Sequence, residues 1–268
     1  MDTDHQRAFP TPYGDVNRVL LELTSRIRII LGDQFVGLYL YGSLALGDFD
    51  PRTSDIDFIC VTQSELSAEL IDALQAMHGE FDRSDSPWAR KVEAAYIPLD
   101  ALEFPASTST PYPQVEKDRE IFLAPLEAGW AFQRYTLRER GVVVYGPRPD
   151  SFTDPVDLVE MQQAAVAILG RWQEQARQDT DWIDWVRRRS AQGFVVLTIC
   201  RLLYSLATGS VASKPAAARW AQKTLALRWR ALIQGALVGQ YDEQEISDLE
   251  LEETLDFLEE ARPSATPS

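Results

Sequence analysis

The sequence predicts an α/β domain, a mixed sheet with flanking helices, over residues 1–153, followed by an all-α helical bundle over residues 154–268. Three observations carry this. Short apolar runs of strand length alternate with stretches of helical period through the first half, the alternation of an α/β sheet. Only helical periods follow Asp154-Pro155. Between the two regimes stands the breaker Gly146-Pro147-Arg148-Pro149-Asp150.

Each element has its own signal. Val16, Val19, Leu20, Leu23, Ile27, Ile30 and Leu31 recur at helical spacing, defining an amphipathic first helix that stops at Gly32. Strands are expected at Phe35–Tyr41, Asp55–Thr62 and Lys91–Pro98, with a helix over Ser64–Met77 between the last two. Leu102 to Pro113 carries Pro105, Pro111, Pro113 and a Ser/Thr cluster, and is expected as a loop on the rim of a site. Glu120–Leu123 and Val142–Tyr145 read as short strands flanking a helix over Gly129–Arg140. Beyond the breaker, Val156–Gln178, Phe194–Ala207, Ala216–Leu225, Leu227–Val238 and Glu243–Ala261 fit amphipathic helices joined by short turns. The tail Arg262–Ser268 is small, polar and proline-containing, and is expected to be disordered.

Composition narrows the function classes. A mean hydropathy of −0.22 is that of a globular protein with real cores, and no run approaches the roughly 18 apolar residues that span a bilayer. The polar, acidic start Met1-Asp2-Thr3-Asp4-His5-Gln6 lacks the pattern of a secretory signal, so a cytoplasmic, membrane-free protein is expected, as a monomer. Cys60 and Cys200 both sit in apolar segments and read as reduced core residues. A net charge of −15 argues against a nucleic-acid partner, whose phosphates demand cations, and favours a small cationic ligand. With His5 and His78 as the two histidines, there is little material for a serine–histidine triad or a histidine zinc site. Carboxylate chemistry remains.

One segment concentrates that chemistry. The apolar run Leu38-Tyr39-Leu40-Tyr41 ends in Gly42-Ser43, and Asp55-Ile56-Asp57 opens the next run, Phe58-Ile59-Cys60-Val61. Residues two apart on a strand share a face, so both carboxylates project to one side, about 7 Å apart. Two hard oxygen donors on a rigid element suit Mg²⁺ bound together with a substrate phosphate. Glycine lets backbone approach a phosphate, and the serine hydroxyl can donate to it. Gly-Ser alone is an ordinary turn, and Asp-x-Asp alone is a weak signal. Together they weigh more, because Asp57 lies in an apolar stretch where an uncompensated carboxylate is costly to bury.

Gly42 to Asp57 resembles the Gly-Ser and Asp-x-Asp signature of the nucleotidyltransferase superfamily that includes DNA polymerase beta. Tyr41-Gly42-Ser43, Pro51 and Ser54-Asp55-Ile56-Asp57 resemble more closely the aminoglycoside adenylyltransferases that modify streptomycin and spectinomycin. Val92-Glu93 matches the position of that group's third carboxylate. Val195 to Arg201, Tyr204-Ser205, Thr208-Gly209, Lys214 and Trp220-Ala221 resemble its helical domain.

The resemblance implies AMP transfer from ATP to a hydroxyl of a cationic antibiotic, with Mg²⁺ and release of pyrophosphate. It assigns Asp55 and Asp57 as metal ligands, Gly42 and Ser43 as the phosphate cradle, Ser54 as a further hydroxyl and Glu93 as base. Arg201 and Lys214 match positions that grip the triphosphate, which implies a nucleotide lying between the domains. For the acceptor it points to Trp172, Asp181, Trp182 and Asp184, since indole faces and carboxylates suit a cation. Three departures stand against a simple transfer of specificity: the loop runs longer and carries the basic cluster Arg187-Arg188-Arg189 where an acidic, drug-binding stretch is expected, Leu237 replaces a tyrosine, and the acid expected near Gly129 is missing, with Glu127 close by. Two other readings stay open: the same chemistry on a different small molecule, protein or tRNA acceptor, and a non-catalytic ligand-binding module.

Overall fold

A computed structural model describes residues 9–103, 110–116 and 120–261. The stretch with His5, the Pro105 part of the expected loop and the tail from Arg262 lie outside the described residues. The chain forms two compact units, Met1–Leu126 with Gln133–Pro155, and Glu127–Phe132 with Val156–Ser268.

The first unit opens with helix α1 (Gly14–Leu31), which buries Val16, Val19, Leu20, Leu23, Ile27 and Leu31 along one face and stops at Gly32, φ 52°. Strand β1 (Phe35–Leu40), a short helix α2 (Gly42–Leu46), strand β2 (Ile56–Thr62), helix α3 (Ala68–Asp82) and strand β3 (Val92–Pro98) follow. A single turn α4 (Asp100–Glu103), strands β4 (Pro111–Val115) and β5 (Phe122–Pro125), helix α5 (Trp130–Arg140) from Gln133 onward and strand β6 (Val142–Tyr145) complete it, while the first three residues of α5 belong to the second unit. The sheet order is β5-β4-β3-β2-β1-β6. β2 and β3 run parallel and every other pair antiparallel, so the sheet is mixed as expected. The parallel pair is joined through α3, and its residues are buried on both faces, as a central parallel strand requires. α1 and α3 cover one face with Leu20, Leu23, Leu74, Met77 and Phe81 against Phe58, Cys60 and Tyr96.

Two readings of the sequence need correction here. Residues 102 to 113 are not all loop: Leu102 lies in α4, and Pro111 and Pro113 lie in β4. Proline has no N–H to give a ladder, which normally speaks against a strand. β4 accommodates it because only Gln114 and Val115 pair with β3, while the two prolines face β5 alone. The expected strand at Glu120–Leu123 is displaced to Phe122–Pro125.

The second unit is all helix: α6 (Leu158–Gln178), α7 (Thr180–Val186), α8 (Arg189–Thr208), α9 (Lys214–Thr224), α10 (Trp229–Val238) and α11 (Asp248–Glu260). α8 is its axis and packs against all five others, burying Val195, Val196, Leu197, Ile199, Cys200 and Leu202. It is long and apolar enough on length and composition to cross a membrane, but that apolarity is spent on the bundle core. The sequence pattern missed α7 and began α8 five residues late, at Phe194 rather than Arg189. α7 has two turns, too short to show a period. Its start is set by Asp179, whose carboxylate accepts from the Trp182 N–H at 3.0 Å, while the Asp179 N–H closes α6 on the Gln175 carbonyl.

Candidate active site

The strand register assembles a row of polar side chains across the sheet. Leu40 pairs with Phe58 in the antiparallel β1–β2 ladder, and one step on, the Tyr41 N–H donates to the Asp57 carbonyl at 3.2 Å. Asp57 is the direct partner of Glu93 in the parallel β2–β3 ladder. Val115 pairs with Ala94, which sets Glu116 one step beyond, opposite Glu93. Directly opposed residues share a face with Cβ atoms about 5 Å apart. Tyr41, Asp57, Glu93 and Glu116 therefore form one row over four strands. The Tyr41 phenol registers them all: burial pushes its pKa well up, and the charges of Asp57, Glu93 and Glu116 push it further.

Gly42 closes against this row. Its φ is +58°, and a Cβ there would stand 2.0 Å from Asp57 Oδ2. Any side chain would displace the carboxylate, so the glycine is required by the site as well as by the turn. What was expected as a plain turn at Gly42-Ser43 is the five-residue helix α2, ended by Gly47 in the left-handed region. The segment back to β2 is pinned by Phe49, whose ring lies 4.8 Å from Tyr13 and 5.6 Å from Trp88, and whose carbonyl accepts from the Tyr13 hydroxyl at 3.1 Å. Ser54 accepts the Asp50 N–H on its hydroxyl at 3.0 Å, closing a turn immediately before Asp55. Arg52 beside Asp50 holds that exposed carboxyl down at about 2. Lys91 Nζ donates to the Arg52 carbonyl at 3.2 Å, and the Ile56 N–H to the Lys91 carbonyl at 2.8 Å, which ties the loop to the start of β3.

Asp55, Asp57 and Glu93 are all half-buried, with Asp55 one residue ahead of the strand. Among the described residues no three His, Cys, Asp or Glu side chains are grouped to hold an ion by themselves. Two carboxylates that leave the remaining positions to water and phosphate are what Mg²⁺ asks of a protein, and Gly42, by lacking a Cβ, lets the Asp57 carboxylate keep its place in the row. The residues present fit the metal.

In the helical unit the turn between α8 and α9 brings Arg201 and Lys214 together. Arg201 Nε donates to the Ala212 carbonyl at 3.2 Å, and Ser213 caps α9 by accepting the Ala216 N–H, which leaves Lys214 as the first residue of that helix. Trp172 and Trp182 are buried, so their indoles are packing elements of the bundle. Asp181 and Asp184 are exposed on α7, with Trp185 half-buried beside them. Trp172 and Trp185 each lie 6.1 Å from the Phe194 ring, which is 43% exposed. Phe194 carried no functional signal in the sequence because it opens an apolar run, and Glu116 none because only the register reveals its neighbour. Glu127 is ion-paired with Arg171 at 2.8 Å.

The three arginines are a clasp. Arg187 pairs with Asp248 at 2.8 Å, and Arg189 with Glu250 at 2.9 Å and Asp242 at 3.7 Å. Arg188 forms a backbone bridge with Glu245, while the Arg187 carbonyl accepts from Ile246 and the Gln244 carbonyl from Arg189. The arginine cluster is thereby tied to the segment that leads into α11 and to its first turn.

A mixed sheet that carries Gly-Ser, Asp-x-Asp and a register-paired glutamate, followed by a helical bundle, defines a nucleotidyltransferase. Residues 25–110 match the family described as nucleotidyltransferase domain, and residues 152–261 the family described as aminoglycoside adenylyltransferase, C-terminal domain. An aminoglycoside (3'') (9) adenylyltransferase of Shigella flexneri is 26% identical over 256 residues, covering 91% of this chain and 94% of the relative. A spectinomycin 9-adenylyltransferase of Staphylococcus aureus is 23% identical over 229 residues, 78% of each. The fold resembles a crystal structure of spectinomycin adenyltransferase from Enterococcus faecialis with ATP and spectinomycin, at TM-score 0.65 and 15% identity, covering 92% of this chain and 98% of that one. The family models, the relatives and the solved structure together support the aminoglycoside adenylyltransferase group of the nucleotidyltransferases for this chain.

Proposed function

We propose that this enzyme transfers AMP from ATP to a hydroxyl of a cationic aminoglycoside or aminocyclitol, releasing pyrophosphate. The observation that supports the reading is the pairing of Glu93 with Asp57 in one ladder, which sets the two carboxylates side by side. Glu93 takes the proton of the acceptor hydroxyl. The acceptor's hydroxyl oxygen bonds to the α-phosphorus as the bond from that phosphorus to pyrophosphate breaks. Asp55 and Asp57 would hold Mg²⁺, which supplies charge neutralisation at the phosphates. Gly42 leaves the Asp57 carboxylate undisplaced, and Ser43 and Ser54 offer hydroxyl donors. Arg201 and Lys214 are assigned to the triphosphate. Asp181 and Asp184, with Trp185 beside them and Trp172 and Trp182 packed behind, are assigned to the cationic acceptor. The basic cluster does not oppose this reading, since the charges of Arg187 and Arg189 face Asp248, Glu250 and Asp242.

The test is incubation of the protein with ATP, Mg²⁺ and each of a panel that includes streptomycin and spectinomycin, following pyrophosphate and the mass of the acceptor. An AMP adduct on a cationic acceptor is expected. Pyrophosphate release with an adduct only on neutral, protein or tRNA acceptors would overturn the antibiotic assignment.

A further inference from the structure

Lys214 stands where a helix least favours a cation. As the first residue of α9 it meets the positive end of the helix dipole. Its stem has four rotatable bonds, so an ammonium in solvent would sample many positions. Instead Lys214 Nζ lies over the ring of Phe194, 5.5 Å from its centroid, within the range of a cation–π contact. That ring is 43% exposed, so burial does not explain a large aromatic side chain here. It is nevertheless held in place. Trp172, itself buried, lies 6.1 Å away, and Trp185 meets it edge-on at 6.1 Å. The α9 start is fixed independently by Arg201 on the Ala212 carbonyl and by the Ser213 cap. A rigid element thus presents an aromatic face to the Lys214 ammonium.

We infer that Phe194 is a positioning residue for nucleotide binding, whose ring holds the Lys214 ammonium where it meets an anionic phosphate. The inference rests on the reading that Lys214 contacts the triphosphate. Phe194 touches neither nucleotide nor reacting atoms in this role. It narrows the lysine's positions and offsets the unfavourable helix end, and its effect belongs to ATP affinity more than to the chemical step.

The test is calorimetric titration of the full chain with ATP and Mg²⁺, with steady-state kinetics alongside, for Phe194→Leu, Phe194→Tyr and Lys214→Ala. Leucine keeps apolar bulk without a π face, and tyrosine keeps the face. Phe194→Leu is expected to weaken ATP binding about 3- to 10-fold, with turnover at saturating ATP changed less than affinity. Phe194→Tyr should stay within about twofold of wild type. Thermal unfolding checks that each variant is folded. Wild-type ATP affinity in Phe194→Leu beside weakened affinity in Lys214→Ala would overturn the role of Phe194 and leave that of Lys214. Equal weakening in the leucine and tyrosine variants would reduce Phe194 to packing and overturn the inference. Unchanged affinity in Lys214→Ala would remove the reading beneath it.

Discussion

Replacing Gly42 by alanine separates the two demands that the position makes. One is conformational: φ of +58° lies in the left-handed region, where an L residue costs about 1–2 kcal/mol. The other is steric. A Cβ would stand 2.0 Å from Asp57 Oδ2 and 2.7 Å from its Cγ, so the carboxylate must move by at least about 1 Å to reach ordinary contact. A misplacement of that size in a reacting constellation can cost about 10²-fold in rate. Gly47 supplies the control, because its φ is +79° and a Cβ there meets nothing within 4 Å. Gly47→Ala should therefore lose about 1–2 kcal/mol in urea unfolding and keep turnover within several-fold. Gly42→Ala should lose a similar amount of stability and about 10²-fold or more in turnover. Comparable turnover in the two variants would refute the claim that Gly42 holds Asp57 in place.

Asp57→Asn, measured as adenylylation turnover with circular dichroism as the folding check, should lose about two or more orders of magnitude while remaining folded. Glu93→Gln removes basicity and keeps size, so turnover should fall by about 10²–10⁴ with ATP affinity held, whereas a metal ligand would lose both. His78 tests the core. It is buried with Nε2 2.7 Å from the Tyr96 hydroxyl, and burial, aided by the Arg26 charge, lowers its pKa from 6.5 to about 4. The unfolded chain therefore binds the proton more readily, so this contribution to stability is complete above about pH 6.5 and is lost as pH falls toward 4, on the order of 3 kcal/mol in all. Urea unfolding of wild type and His78→Gln at pH 7.5 and 4.5 should show the extra acid loss only in wild type, and parallel losses would refute the assignment.

The architecture was legible wherever one residue set satisfied both period and punctuation. α1 runs from its apolar face to Gly32, and β1, β2, β3 and β6 fall on runs that few other elements could use. The misses share a cause, since each element is defined by a partner rather than by its own pattern. β4 holds Pro111 and Pro113 because its ladder to β3 begins only at Gln114. α7 exists because Asp179 ends one helix and caps the next. The Arg187–Arg189 cluster reads as a change of ligand chemistry because charge in a loop is visible in sequence, while the partners of Arg187 and Arg189, 53 to 61 residues on, are not. In the site the same division holds. Asp55, Asp57 and Gly42 announce themselves by spacing, and Glu93 enters by resemblance, but the row that joins Glu93 to Asp57, Tyr41 and Glu116 is a property of register. A one-residue slip of β3 against β2 would turn Glu93 to the opposite face of the sheet without altering any motif. The chemistry proposed for this chain therefore depends as much on the buried residues that fix the register, Ile56 against Val92 and Phe58 against Ala94, as on the carboxylates themselves.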